Sequence, residues 1–265
     1  SLTLCLWLVA AGRDGVNTWI DTATLPPMLR ETSVEIRDRH GALMRAYPVG
    51  NGILRLGTGR AQVDPAYLRM LVRYEDKRFF SHQGVDSLAM LRAVAQAVRH
   101  GRAVSGGSTL TMQVARLLED GSTGRCRGKL RQIRLALALE RRLDKDDILG
   151  LYLTHAPFGG NIEGVRAASF AWFGKEPRRL TPAQAALLVA LPQAPESRRP
   201  DRFPDAARAG RDKVLARLVG LGLVDDARGQ LNRGAEQIVV FGNGLARVDA
   251  DLQLQRQLGV GGPQL

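Results

Sequence analysis

The stretch YEDKRFFSHQGVD, Tyr74 to Asp86, sets two acids side by side among apolar, aromatic and basic residues. Glu75 lies three residues after Val72, four after Leu71 and seven after Leu68, so a helix through this region carries it on the apolar face. Asp76 is rotated ~100° from it on a helix of 3.6 residues per turn and is expected to point away and support the turn that follows. A carboxylate on an apolar face is either paired with a buried Arg or Lys, or kept as an acid/base group with a raised pKa. Spacing alone leaves both readings open. Phe79 and Phe80 can exclude water from such a group, and His82 and Gly84 sit at a turn where polar side chain and backbone can face a ligand.

A second cluster is SGGSTLTMQVAR, Ser105 to Arg116. Gly106 and Gly107 precede Ser108 and Thr109 at the expected start of a helix, where free N–H groups and the positive dipole end can receive an anion. Thr109, Gln113 and Arg116 recur at i, i+4 and i+7 and form one polar stripe, while Leu110, Val114, Leu117 and Leu118 hold the other side down. A Gly-Gly turn with a Ser N-cap accounts for Gly107 and Ser108, but not for a polar stripe ending in Arg.

The third cluster, GSTGRCRGKLRQIR, superficially has the form of a phosphate loop. The pattern fails, because Thr123 and not Gly stands five before Gly128, and Lys129 is followed by Leu. What survives is Arg125, Arg127, Lys129 and Arg131 at the entry of an apolar helix. Cations there oppose the helix dipole at a cost of a few tenths of a kcal/mol each, a placement that an anionic ligand would offset and that a solvated basic face would also explain.

The elements that must position these residues are mostly helical. VEIRDRHGALMRAYPV reads as a hairpin, Val34–Asp38 with Leu43–Tyr47. Asp64-Pro65 opens a helix with Tyr67, Leu68, Leu71 and Val72 on one face, Asp86 opens the next, which stops near His100-Gly101, and Ser108 opens one that reaches Leu118. Further helices are expected through LRQIRLALALERRL, from Asp144, from Asn161 to Gly174, after the capping box Thr181-Pro182-x-Gln184, and from about Asp205 to Val219. Seven or eight helices and one hairpin make a mainly α domain over about residues 34–220. Residues 221–265 lose the pattern and are assigned no domain. The opening apolar run, Leu2 to Ala11, spans about half of a ~30 Å hydrocarbon core; a signal-peptide remnant, a buried end and the trailing half of a membrane anchor (residues 1–12) all fit it.

The 265 residues carry a net charge of +12, which fits a polyanionic partner: nucleic acid, anionic lipid headgroups or a phosphorylated substrate. Two cysteines, Cys5 and Cys126, and four scattered histidines make neither a disulfide framework nor a zinc site.

Taken together, the motifs resemble glycosyltransferase family 51, the peptidoglycan glycosyltransferases. EDKRFFSHQGVD resembles the first signature, E-D-x-x-F-x-x-H-x-G, and GGSTLTMQVAR the second, while KLRQIRLALALERRLDKDDILGLYL and AALLVALPQAP resemble the third to fifth, in order, over about Val34 to Arg217. The variants TMQ, KLRQ and APFGG are similar to those of class A penicillin-binding proteins of the 1C type. The resemblance implies a lysozyme-like helical glycosyltransferase fold with a small N-terminal β hairpin and a membrane-apposed lobe. It implies polymerisation of lipid II onto a nascent glycan strand at the periplasmic face of the bacterial inner membrane, with no role for nucleic acid. Glu75 would be the general base on the acceptor's 4-hydroxyl, whose oxygen displaces undecaprenyl diphosphate with inversion. Asp76, Phe79, His82, Ser108, Thr109, Gln113 and Arg116 would line the donor site; Lys129 and Arg131, with Arg125 or Arg127, would neutralise the diphosphate beside Gln132. A divalent cation, Mg2+ or Mn2+, is a candidate cofactor.

Two positions depart from the family pattern. Gln132 stands where most members have a second glutamate and cannot ionise, which leaves Glu75 and the cations to suffice; Thr154 stands where the fourth signature ends in Asn. The S-x-x-K and K-T-G signatures of a transpeptidase do not occur, so the chain is expected to be a fragment or a transferase only. A lytic glycosidase would also use one buried Glu, but on a neutral sugar chain with no need of diphosphate-facing cations. A non-enzymatic basic module for nucleic acid or anionic lipid would spread its cations over an outer face and leave Glu75 paired and inert.

Overall fold

The computed structural model describes residues 2–28, 30–101, 107–119 and 126–224. Among the described residues the order is α1 (Leu2–Asp21), β1 (Val34–Arg37), β2 (Leu43–Tyr47), β3 (Leu54–Arg55), α2 (Pro65–Glu75), α3 (Ser87–His100), α4 (Leu110–Leu118), α5 (Cys126–Glu140), α6 (Lys145–His155), β4 (Ile162–Glu163), α7 (Val165–Phe173), α8 (Pro182–Ala190) and α9 (Pro204–Val219). The mainly α fold with an N-terminal hairpin is present as the sequence implies. The chain divides into two compact units, residues 1–30 with 75–152 and residues 31–74 with 153–265, the divisions falling inside α2 and α6.

In the unit formed by residues 31–74 and 153–265, β1 and β2 pair antiparallel with a register shift between Ile36 and Arg37. The turn is closed by the Asp38 carboxylate, which accepts from the backbone of His40 and Ala42 at 2.8 Å each. A two-residue parallel pair, β3 with β4, has no signal in the sequence; Asn161–Glu163 reads there as a helix start, but the helix begins only at Val165. The pair is held by Arg55, whose buried guanidinium grips Glu163 at 2.6 and 2.9 Å and the Glu31 carbonyl at 2.6 Å. The capping box at Thr181 and Gln184 starts α8 as expected, and every residue from Ala185 to Ala190 is buried. Gly210 lets α9 come close, since a Cβ there would lie 3.3 Å from the Ala190 methyl.

The charged centre of this unit is Arg166, 2% exposed, which donates to Glu35 on β1 at 2.6 Å and twice to Glu176 at 2.8 Å. Burial pushes Glu35 up, but the hydrogen bonds and charges of Arg166 and Arg37 outweigh it and hold the carboxyl below its usual range.

In the unit formed by residues 1–30 and 75–152, α4 packs on α5 and α1 docks on α5. The helix that starts in the apolar run continues beyond it to Asp21. Its exposed Leu4, Leu6, Trp7, Leu8 and Val9 exclude the buried-end alternative. Among the described residues no helix is long and apolar enough to cross a membrane. The last turn of α1 is tied down by three arginines: Arg134 donates to the Trp19 carbonyl at 2.7 Å, Arg141 to the Asp21 carboxylate at 2.6 Å, and Arg142 to the Asp21 and Ala23 carbonyls at 3.1 and 3.2 Å. Cations at a helix C-terminus complement its dipole and its unpaired carbonyls.

Removing one partner of a buried pair leaves the other charge uncompensated. Arg166→Met is therefore expected to cost about 3 kcal/mol in urea unfolding at neutral pH. The difference should shrink in acid: the lowered Glu35 pKa gives stability that is present above the ordinary carboxylate range and is lost as pH falls through the folded-state value. Equal stability of the variant and the parent at neutral pH would contradict this account.

Candidate active site

Helix α2 ends at Glu75, so Asp76 does not continue the helical rotation, and the expectation for the two acids is reversed. Glu75 is half-buried, whereas Asp76 is 6% exposed and points inward. The Asp76 carboxylate accepts from the Leu110 backbone N–H at 3.0 Å and lies 2.9 Å from His82 Nε2. It thus occupies the first turn of α4, the place that the sequence offers to a ligand anion. Oppositely charged ends of a dipole and a carboxylate attract, and a buried carboxylate needs such partners.

The start of α4 is also one residue later than expected. Thr109, not Ser108, is the N-cap: its hydroxyl accepts from Met112 N at 3.1 Å and donates to the Gly84 carbonyl at 2.5 Å. Thr109 is 2% exposed and so leaves the polar stripe, which reduces to Gln113 and Arg116. Gly84 must be glycine at φ +83°, where a Cβ would meet the Ala136 carbonyl at 2.7 Å. Gly107 allows α3 to approach, since a Cβ would stand 3.2 Å from Met90 Cα.

Gln113 donates its amide to the Glu75 carboxylate at 3.0 Å, which joins the two halves of the candidate site. Lys129, half-buried on the first turns of α5, donates to the Ser108 hydroxyl at 2.5 Å. Burial, together with the nearby positive charge of Arg116, pushes its ammonium below the usual lysine range. A desolvated cation beside a second cation is unfavourable alone and favourable once an anion arrives. Arg131 does not join them: it bonds Glu119 at 2.9 Å, as a residue two positions from Lys129 on a helix faces elsewhere. Arg127 is exposed, Gln132 is 5% exposed, and Arg125 lies outside the described residues.

The aromatic pair splits as well. Phe79 is fully buried, edge-on to His82 with centroids 6.4 Å apart, while Phe80 is 58% exposed and walls off nothing. Arg78 bonds Asp86, whose carboxylate also caps α3 by accepting from Ala89 N at 2.7 Å; that pairing holds Asp86 below the usual carboxylate range. Two residues without a signal in the sequence complete the setting: Glu140 accepts from the Thr111 hydroxyl at 2.6 Å, and Lys145 bonds Glu140 and the His82 carbonyl. Their acidic and basic types look like ordinary helix-end charges, and only the fold reveals their partners. Among the described residues no three His, Cys, Asp or Glu side chains gather as a metal site.

The family model for transglycosylases matches residues 54–219, and the chain belongs to that family of glycosyltransferases. Its relatives are penicillin-binding proteins. It is 49% identical to penicillin-binding protein 1C of Escherichia coli strain K12 over 173 residues, 65% of this chain and 22% of that one. Identity to penicillin-binding protein 1A of Pseudomonas aeruginosa is 36% over 64% of this chain and 21% of the relative. With penicillin-binding protein 1A of E. coli it is 32% over 84% and 27%. The chain thus spans about a quarter of the length of these relatives.

The cap assignment has a direct test. Thr109→Val removes both hydroxyl bonds and is expected to lower unfolding free energy by about 1–2 kcal/mol, while Ser108→Ala stays within about 0.5 kcal/mol of the parent. Urea denaturation of the two variants compares them, and a larger loss from Ser108→Ala would restore Ser108 as the cap.

Proposed function

We propose that this chain polymerises lipid II into glycan strands by inverting transfer, with release of undecaprenyl diphosphate. The observation that carries the reading is the grouping about one short helix: Gln113 of α4 holds the Glu75 carboxylate, Lys129 bonds Ser108 just before that helix, and the charge of Arg116, one turn beyond Gln113, acts on the Lys129 ammonium. A base and two cations are thereby arranged about α4 and its entry.

In this reading Glu75 takes the proton from the acceptor's 4-hydroxyl as its oxygen forms the new bond to the donor's anomeric carbon. The bond from that carbon to the diphosphate oxygen breaks, and the electron pair leaves with the diphosphate. Lys129 and Arg116 stabilise the charge that develops there, with the Ser108 hydroxyl fixing the ammonium. Gln113 orients the base through its amide. A lytic glycosidase would leave the desolvated cations without a task.

The lipid-linked substrate fits the apolar surface of the same unit. Helix α3 has no buried residue and exposes Leu88, Leu91, Val94 and Val98, and Leu130 and Phe80 are also exposed. Such a face suits the inner membrane at its periplasmic side, where the donor's polyprenyl chain is held.

Two outcomes are expected in a lipid II polymerisation assay in detergent. Glu75→Gln should lower turnover by about 10²–10⁴-fold with the fold intact, as expected for loss of a general base, and an unchanged polymer yield would remove Glu75 from that role. The pH profile should fall on its alkaline side below the ordinary lysine value of ~10.4, because burial favours loss of the Lys129 proton. Lys129→Arg should move that limb upward, since guanidinium keeps its charge; an identical limb would assign it to another group.

A further inference from the structure

The motif loop 76–86 is gripped from below by an ion pair that the transfer reaction as drawn does not use. Lys145, at the first position of α6, donates to the Glu140 carboxylate at 2.6 Å and to the His82 carbonyl at 2.7 Å. Its ammonium also stands 4.6 Å from the centre of the buried Phe79 ring. The same Glu140 oxygen accepts the hydroxyl of Thr111, which is fully buried on α4. The side chains of Lys145 and Glu140 are 20% and 7% exposed.

These contacts are addressed to the two segments that carry the base and its orienting amide. His82 and Phe79 belong to the loop that begins directly after Glu75. Thr111 lies two residues before Gln113, which bonds Glu75 at 3.0 Å. Desolvating an ammonium and a carboxylate costs about what their attraction returns, so a buried pair is poorly explained as a stabiliser. It does impose direction: an ammonium has three donors, and here one takes a carboxylate and one a loop carbonyl while the charge faces an aromatic ring.

We propose that Lys145 and Glu140 are positioning residues for the transfer, a bolt through the loop and α4 that keeps Gln113 in register with Glu75. This rests on Glu75 being the base of the reaction proposed above. Neither residue touches the reacting atoms; both act through the geometry of Gln113 and Glu75. Misplacement of a reacting group by about 1 Å can cost ~10²-fold in rate, so a loose bolt should be visible in turnover.

The test uses the full chain with lipid II in detergent and compares Lys145→Met, Lys145→Arg, Glu140→Gln and Thr111→Val. Expected for Lys145→Met is a kcat at least about tenfold lower with KM for lipid II within about twofold, as for an interaction realised in the transition state. Lys145→Arg should recover part of the loss. Lys145→Met with Glu140→Gln should cost less than the product of the single losses, because both remove one linkage. Hydrogen exchange at the Leu110–Gln113 amides should quicken in Lys145→Met while that of α9 stays put. Should Lys145→Met fail to fold, Glu140→Gln and Thr111→Val carry the same comparison. Folded variants with parental kcat and parental exchange at α4 would overturn the positioning role. A parent chain that makes no polymer would instead overturn the reaction, and the exchange measurement would still decide whether the bolt holds α4.

Discussion

The Asp76 carboxylate is the contact on which the site depends. It closes the first turn of α4 through Leu110 N–H and faces His82 Nε2, so one side chain joins the motif loop to the helix that answers it. Around it the remaining bonds fall into place: Thr109 caps α4 and ties it to Gly84, Arg78 and Asp86 close the far end of the loop, and Lys145 holds its middle. Each is modest alone, about 0.5–1.5 kcal/mol for a neutral hydrogen bond and more where charge assists. Their common effect is to present Glu75 and Gln113 to each other from separate segments. The adjacent acids therefore divide the labour, with Asp76 building the frame and Glu75 left at its edge.

Much of this was legible in the residues. Helical periodicity located α2, α3, α6, α8 and α9 to within a few positions, because each carries an apolar stripe and a recognisable start, such as Asp86 or Thr181. The hairpin followed from alternation around the His40-Gly41 turn. What failed did so for stated physical reasons. Rotation by 100° per residue misplaced Asp76, because the helix ends one residue before it. The Gly-Gly-Ser-Thr run has two residues able to cap, and tertiary contact with Gly84 decided for Thr109. The β3–β4 pair is two residues long and is stabilised by Arg55 with Glu163 across 108 positions of chain, a distance that no local pattern reports. The basic cluster at the start of α5 looked like one site, but Arg131 turns to Glu119, and only Lys129 meets Ser108.

Gln132 is best understood against that corrected cluster. It is buried one turn after Lys129, and being neutral it adds no negative charge to a cation that burial and Arg116 already destabilise. The pair of cations is then more strongly biased toward an anion than it would be beside a second carboxylate. In the proposed reaction, a single carboxylate and an electropositive receiver would then suffice, with Glu140 bonded instead to Thr111.

The docking of α1 on α5 carries a geometric consequence. Arg134, which grips the last turn of α1, lies five residues beyond Lys129 on the same helix, about 7.5 Å along its axis. A helix is stiff over that length, so α5 works as a gauge block: wherever the end of α1 is fixed, the ammonium is presented at one set height from it. In the transfer proposed above, a diphosphate hung from a bilayer by its lipid tail would be met at that fixed height, with no moving part needed.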